Sequence, residues 1–332
     1  MIKNLKVCKM LKKTIFFFTL MAVIIFYGGA GTSSPQEEEV LPQKELYPLY
    51  RMQVRMDNPY LARAAMEVKY INNTGRPLEE VVILLPANII YGERYIEVEG
   101  LALRDRPVSL TSTHGRIIVK LDQQLLPGET VGISMNFSTS LPQKAGIFGY
   151  DQGVVRLACW HPVLAPFDRE KGGWSDFVAT SFGDPYYFEA ARYQGTFILP
   201  PSWQLISPFT TGVKTGEVER EYSFDTKIPA RDCTFVLGSR FKHAEVGAGT
   251  TKIEYYFLDR DKGFARAGGE ILEFFSSWLE DYPYPKLMVV DMPLEENMGM
   301  EFAGMIFLST SFPRIGVQTM AHEIAHQYWY GL

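Results

Sequence analysis

The sequence predicts a chain in two parts: a mainly β half over residues 47–247, built as an antiparallel sandwich or saddle, and a mixed α/β part over 248–332. Three observations carry this. Between Tyr47 and about Phe241, short β-branched or aromatic runs are each closed by Gly, Pro or Asn turns. Past Gly247, apolar residues recur at three- and four-residue spacing, the period of a helix. Between the helical stretches lie short continuous apolar runs, Leu287–Val290 and Met305–Leu308, that read as buried strands. No internal repeat of fixed period appears.

At 332 residues the chain is long enough for two domains with their own cores. With 46% hydrophobic and 14% aromatic residues it reads as globular rather than disordered. A net charge of -5, with no dense Lys/Arg patch past the N-terminus, argues against nucleic acid as the main partner. The N-terminus carries Lys3, Lys6, Lys9, Lys12 and Lys13, then the apolar run Ile15–Tyr27, then Gly28, Gly29, Ala30 and Gly31. That order is a secretory signal over 1–31 or, uncleaved, a membrane anchor, and either one exports the remainder of the chain. Residues 32–46, polar and carrying Glu37-Glu38-Glu39, read as a flexible leader.

The β half opens near Tyr47. Ala64–Ile71 is followed by the turn Asn72-Asn73-Thr74-Gly75, Val81–Leu85 is closed by Pro86, and Arg116–Leu121 precedes Pro127-Gly128 and the strand Thr130–Phe137. From Cys159-Trp160-His161-Pro162 to Gly183-Asp184-Pro185-Tyr186-Tyr187-Phe188 the chain is long, aromatic and turn-rich, a functional surface or a loop sealed to the sheet. Strand character returns at Tyr193–Leu199, Glu221–Phe224 and Cys233–Leu237. Cys159 and Cys233 have no Cys or His at metal-ligand spacing. In an exported chain they are either a disulfide or, the better reading, two buried thiols. His161 and His243 stand alone in strand-like sequence and read as structural.

In the mixed part, Lys252–Leu258 alternates as a strand, and Phe264–Leu279 is a helix through Ile271, Leu272, Phe275, Trp278 and Leu279. Asp281-Tyr282-Pro283-Tyr284-Pro285 ends that helix. Taken alone, Gly299-Met300-Glu301 is a loop with a solvated glutamate. Its neighbourhood alters that, because it leads straight into a strand about twenty positions ahead of the last helix. An edge strand beside a peptidase metal aligns substrate by main-chain pairing, and a carboxylate there can hold a free ammonium.

The last helix, from Val317 to Tyr330, contains His322-Glu323-Ile324-Ala325-His326. Two histidines four apart share one helix face and can hold one Zn2+, with the Glu323 carboxylate beside them to take a proton from the metal's water. The bland alternative is a surface or core helix that matches a short string. Ala321, Ile324 and Ala325 give it a small apolar back, and no Pro or Gly interrupts it. A catalytic zinc takes three protein ligands and an open position, and this stretch supplies two.

In this order the pieces resemble the M1 family of zinc metallopeptidases, the gluzincin aminopeptidases. The resemblance rests on the β-rich half, Gly183-Asp184-Pro185, Arg231-Asp232, Tyr282-Pro283-Tyr284-Pro285, the segment Met298–Phe302 and the His-bearing helix. It implies an N-terminal β saddle followed by the first part of a thermolysin-like α+β catalytic domain. It implies zinc on His322 and His326, Glu323 as general base, and Glu301 on the free α-amine of a peptide substrate. The main chain of Gly299 and Met300 would contact the bound peptide. Met298, Phe302 and Tyr328 depart from the family's usual Gly, Asn and Trp. The family's third ligand is a Glu about nineteen residues past the second His, so the chain as written lacks it. Three expectations follow: weak zinc binding and little activity for these residues alone, an incomplete gene product, or a non-catalytic M1-like module that binds peptides or proteins. A His-bearing helix without packing partners is expected to fold poorly.

Overall fold

Alternation builds the largest sheet. In Leu49–Asn58, Tyr50, Met52, Val54 and Met56 are buried while Arg51, Gln53 and Arg55 face solvent, and Leu61–Ile71 repeats the pattern. The computed structural model describes residues 46–103, 106–108, 111–175, 187–259, 261–312 and 316–329. The segment 1–31, nearly all of the leader 32–46, and Gly183-Asp184-Pro185 fall outside those residues. Among the described residues, no helix is long and apolar enough to cross a membrane.

The eight-stranded sheet runs in the order Thr210–Thr215, Arg220–Asp225, Arg192–Leu199, Leu49–Asn58, Leu61–Ile71, Thr130–Ser140, Ile96–Leu103, Arg106–Pro107. Its pairs are antiparallel except Leu49–Asn58 with Arg192–Leu199. Two four-stranded sheets, one containing Phe235–Gly238 and Val154–Leu157 and the other Leu78–Leu84 and Arg116–Leu125, and the two-stranded ribbon Phe167–Asp168 with Gly173–Trp174 complete the described β-rich half. Trp160, fully buried, donates Nε1–H to the Cys233 carbonyl at 3.0 Å, and both cysteines stand as free thiols. Pro86, expected only to end a strand, opens a short helix, Pro86–Tyr91, where its missing N–H costs nothing.

The mixed part is a five-stranded sheet in the order Lys242–Ala248, Thr251–Phe257, Lys286–Met292, Met305–Ser309, Gly299–Phe302. A hairpin carries this sheet back to Lys242, ahead of the change in texture after Gly247. Thr251–Phe257, the long helix Phe264–Trp278 and the parallel strand Lys286–Met292 form a βαβ unit. The central strands are buried on both faces. Leu287 and Val289 join the helix-side core with Met320 and Ile324, whereas Met288, Val290 and Met292 pack with Val82, Leu84 and Val154 of the β-rich half.

The His-bearing helix, Val317–Trp329, does have packing partners, contrary to expectation. Met320, Ile324 and Tyr328 are buried, and the Tyr328 hydroxyl lies 2.8 Å from Ser276 Oγ on the long helix. Apolar burial against an existing helix and sheet stabilises it where propensity alone would not. Gly299-Met300-Glu301, which reads as a loop in isolation, is an edge strand paired antiparallel to Met305–Ser309.

Candidate metal centre

The helix divides its residues by spacing. Met320, Glu323, Ile324, Gln327 and Tyr328 are buried on a three- and four-residue stripe, while His322 is exposed and His326 half-buried on the adjoining face. One helical turn apart, the two imidazoles bring Nε2 to 3.2 Å from Nε2, with the rings nearly perpendicular at 86°. Two nitrogens bound at about 2.05 Å to one tetrahedral ion stand roughly 3.3 Å apart. The pair therefore fits a shared zinc. A hydrogen bond between the rings is the other use of that distance.

Two carboxylates gather around His326. One ligand atom each from Glu301, Glu323 and His326 falls within 4.8 Å of the others, and Glu301 Oε1 lies 3.7 Å from His326 Nδ1. Glu301 and Glu323 are 4% and 5% exposed. Carboxylates this buried are held by charged or hydrogen-bonding neighbours.

Strand alternation delivers Glu301. Met300 and Phe302 point into the core shared with the β-rich half, which turns Gly299 and Glu301 towards the helix. Gly299 is required by close approach: a Cβ there would lie 2.6 Å from the Glu323 side-chain Cδ. The strand backbone thus passes directly over the Glu323 carboxylate, and its far side is, among the described residues, an edge of the sheet with no strand paired to it.

Residues the sequence left unassigned hold this geometry. Gln327 Nε2–H donates to the Phe302 carbonyl at 3.0 Å, and its Oε1 accepts from Gly304 N–H at 3.1 Å and from the Tyr282 hydroxyl at 2.9 Å. Burial pushes the Tyr282 hydroxyl far above its ordinary pKa, which keeps it a donor. Gly304, at φ +72, makes the turn after the edge strand. Asp232 Oδ2 accepts Ala303 N–H at 3.0 Å, tying that turn to the β-rich half. The signal for Gln327 was available, since a polar side chain on a buried helix stripe demands partners. Asp232 gave none beyond its place in the Arg231-Asp232 pair, because its partner lies 71 positions away.

All six residues singled out in the sequence fall in this region: His322, Glu323 and His326 on the helix, and Gly299, Met300 and Glu301 on the strand, with the Met300 side chain facing away. His161 is buried in the β-rich core, and His243 lies 3.9 Å from Glu254 on the five-stranded sheet.

No protein-family model matches the sequence, and no curated protein matches it. Solved structures share its fold. An M1 zinc metallopeptidase from Deinococcus radiodurans superposes with a TM-score of 0.62 at 16% identity, over 86% of this chain and 64% of that one. A mutant of an M1 zinc metallopeptidase from the same organism, bound to a Tyr-Ser-Ala substrate, gives 0.60 at 16% identity over 86% and 64%. A two-domain M1 zinc metallopeptidase mutant bound to L-tryptophan gives 0.59 at 17% identity, over 86% and 65%. At such identities the likeness establishes the fold alone: a β-rich N-terminal domain followed by a mixed α/β part folded like the corresponding region of these structures. The chain spans 64% of the length of the first of these structures.

Proposed function

We propose that the chain belongs to a zinc-dependent aminopeptidase, of which it carries the β-rich half and the leading part of the catalytic domain. The observation behind this reading is the 3.2 Å approach of His322 and His326 Nε2 beside the buried Glu323 carboxylate, beneath an open strand edge. His322 and His326 would hold the zinc, which when bound supplies Lewis-acid polarisation of the scissile carbonyl and acidifies water.

The remaining chemistry is assigned to the chain's own groups. A carboxylate oxygen of Glu323 takes the proton of the attacking water and returns it to the leaving amine nitrogen. Gly299 and Met300 pair with the substrate through their main chain, adding a strand to the sheet edge. Glu301 holds the substrate's free α-ammonium by charge-assisted hydrogen bonds, which restricts cleavage to the first peptide bond. The partners are peptides with a free N-terminus. Export, with release or membrane attachment through the apolar segment 15–27, is part of the same proposal and rests on the N-terminal sequence alone.

Metal analysis combined with hydrolysis of aminoacyl arylamides tests the assignment. Zinc bound by the chain is expected to survive Glu323→Gln and to disappear in His322→Ala and His326→Ala. Turnover by an active form should vanish in Glu323→Gln, and peptidase rate retained in that variant would remove Glu323 as the base. Glu301→Ala is expected to weaken action on free N-termini by about a hundredfold while sparing N-blocked substrates; equal losses on both would remove the amine-anchoring role. Absence of zinc together with silent arylamides in a form that also carries the third ligand favours the peptide-binding module instead.

A further inference from the structure

The segment Pro293–Met298 delivers the edge strand, and its outer side is held by groups of the β-rich half. Arg156, on Val154–Leu157, donates Nη2–H to the Pro293 carbonyl at 2.8 Å. Glu295 N–H donates to the Ala145 carbonyl at 2.8 Å, and Lys144 Nζ stands 3.6 Å from Glu296 Oε1. The inner side is closed by Ser309: its Oγ donates to the Leu294 carbonyl at 2.7 Å and accepts Leu294 N–H at 3.3 Å, and its N–H donates to the Met298 carbonyl at 2.9 Å.

Arg156 is the costly member of this set. It is 0% exposed, and the carboxylates of Asp151 and Glu295 act on it only at long range, with no ion pair among the described residues. Its protein partners are the Pro293 carbonyl and, at 3.5 Å, the carbonyl of Val154, while Nε has none. Burial drags its pKa down to about 10. A guanidinium buried this way stabilises a fold less than an apolar side chain of the same volume would. Its contribution is directional: a rigid planar fork that fixes the carbonyl opening the Pro293–Met298 segment.

We propose that Arg156 is a positioning residue for the substrate-aligning strand, setting through Pro293 where Gly299, Met300 and Glu301 sit over the His-bearing helix. The substrate part of this rests on the aminopeptidase reading; the positioning of the strand does not. Together with Asp232 at the far turn, Arg156 makes the β-rich half the frame on which the open edge is stretched.

The first experiment is amide hydrogen exchange on the parent chain and on Arg156→Met, which keeps the stem and removes the charge. Exchange across 294–302 is expected to speed up about tenfold, the loss of one charge-assisted hydrogen bond, while the strand Thr251–Phe257 keeps its protection. The apparent melting temperature should hold or rise. If Arg156→Met fails to fold, Arg156→Lys, which retains charge without the fork, is read in the same way. Unchanged exchange at 294–302, or an increase spread evenly over the whole sheet, overturns the proposal. The second experiment titrates the tripeptide Tyr-Ser-Ala and its N-acetyl form. The parent's preference for the free amine should fall about tenfold in the variant, a selective loss that general destabilisation does not produce. A parent without that preference counts against Glu301 as the amine anchor, and the exchange result then decides the role of Arg156 by itself.

Discussion

Gly299 and Glu323 are a single contact seen from two elements. Because the strand backbone lies directly over the carboxylate, there is no room for a methyl group between them. Gly299→Ala is therefore expected to displace the Glu323 carboxylate rather than the strand, whose ladder to Met305–Ser309 anchors it. A displacement near 1 Å of a group that must meet water and substrate costs about a hundredfold in rate. Steady-state kinetics beside urea denaturation checks this: the rate should fall while the midpoint barely moves, and a rate loss matched by a large midpoint loss would mean that the strand gave way instead. The histidines and Glu323 were legible from a five-residue string because helix geometry alone sets their relation. The need for glycine at 299 was not, since it depends on a carboxylate 24 positions away in sequence.

Among the elements, the hairpin Gly299–Phe302 and Met305–Ser309 and the helix Val317–Trp329 act as one body through Gln327. Three hydrogen bonds converge on this side chain, from strand, turn and the Tyr282 hydroxyl, all of them buried. Gln327→Ala strands a carbonyl, an amide and a phenol away from water. The expected cost is about 3 kcal/mol, read as a lower urea midpoint, with weaker zinc retention because the helix loses its register against the strand. A change below about 0.5 kcal/mol would show that water replaces the amide. Helix existence and extent followed closely from apolar spacing. The edge strand did not, because four residues containing Gly and Glu carry no β signature of their own, and only pairing with Met305–Ser309 makes them a strand.

At the scale of the whole molecule, the β-rich half is both a core and a frame. Near its centre His161 packs edge-on to Tyr50, Trp160 and Tyr193 at ring-centroid distances of 6.0, 5.3 and 5.7 Å, with Nδ1 2.9 Å from the Pro162 carbonyl. Burial lowers its pKa to about 4, against an ordinary value of about 6.5. Between those values the unfolded chain binds a proton that the folded chain refuses. The stability tied to His161 is thus complete above pH 6.5, falls as the pH drops, and is gone below pH 4. The whole contribution is at most about 3 kcal/mol. His161→Phe should show a shallower acid decline than the parent when urea midpoints at pH 7.5 and 4.5 are compared. Parallel declines would mean that His161 is already charged, or hydrated, in the folded state.

What the sequence determined alone is local or periodic: the alternation of the β strands, the extent of the long helix, and the His-x-x-x-His spacing that aims two imidazoles at one point. These follow from backbone geometry over a few residues and survive without knowledge of distant partners. Tertiary structure decided the rest: the edge strand over Glu323, the Gln327 staple, and the grip of Arg156 and Asp232 on either end of that strand. Each of those depends on a hydrogen bond or a close approach between residues far apart in the chain, and no local pattern encodes which distant carbonyl or amide a side chain will meet.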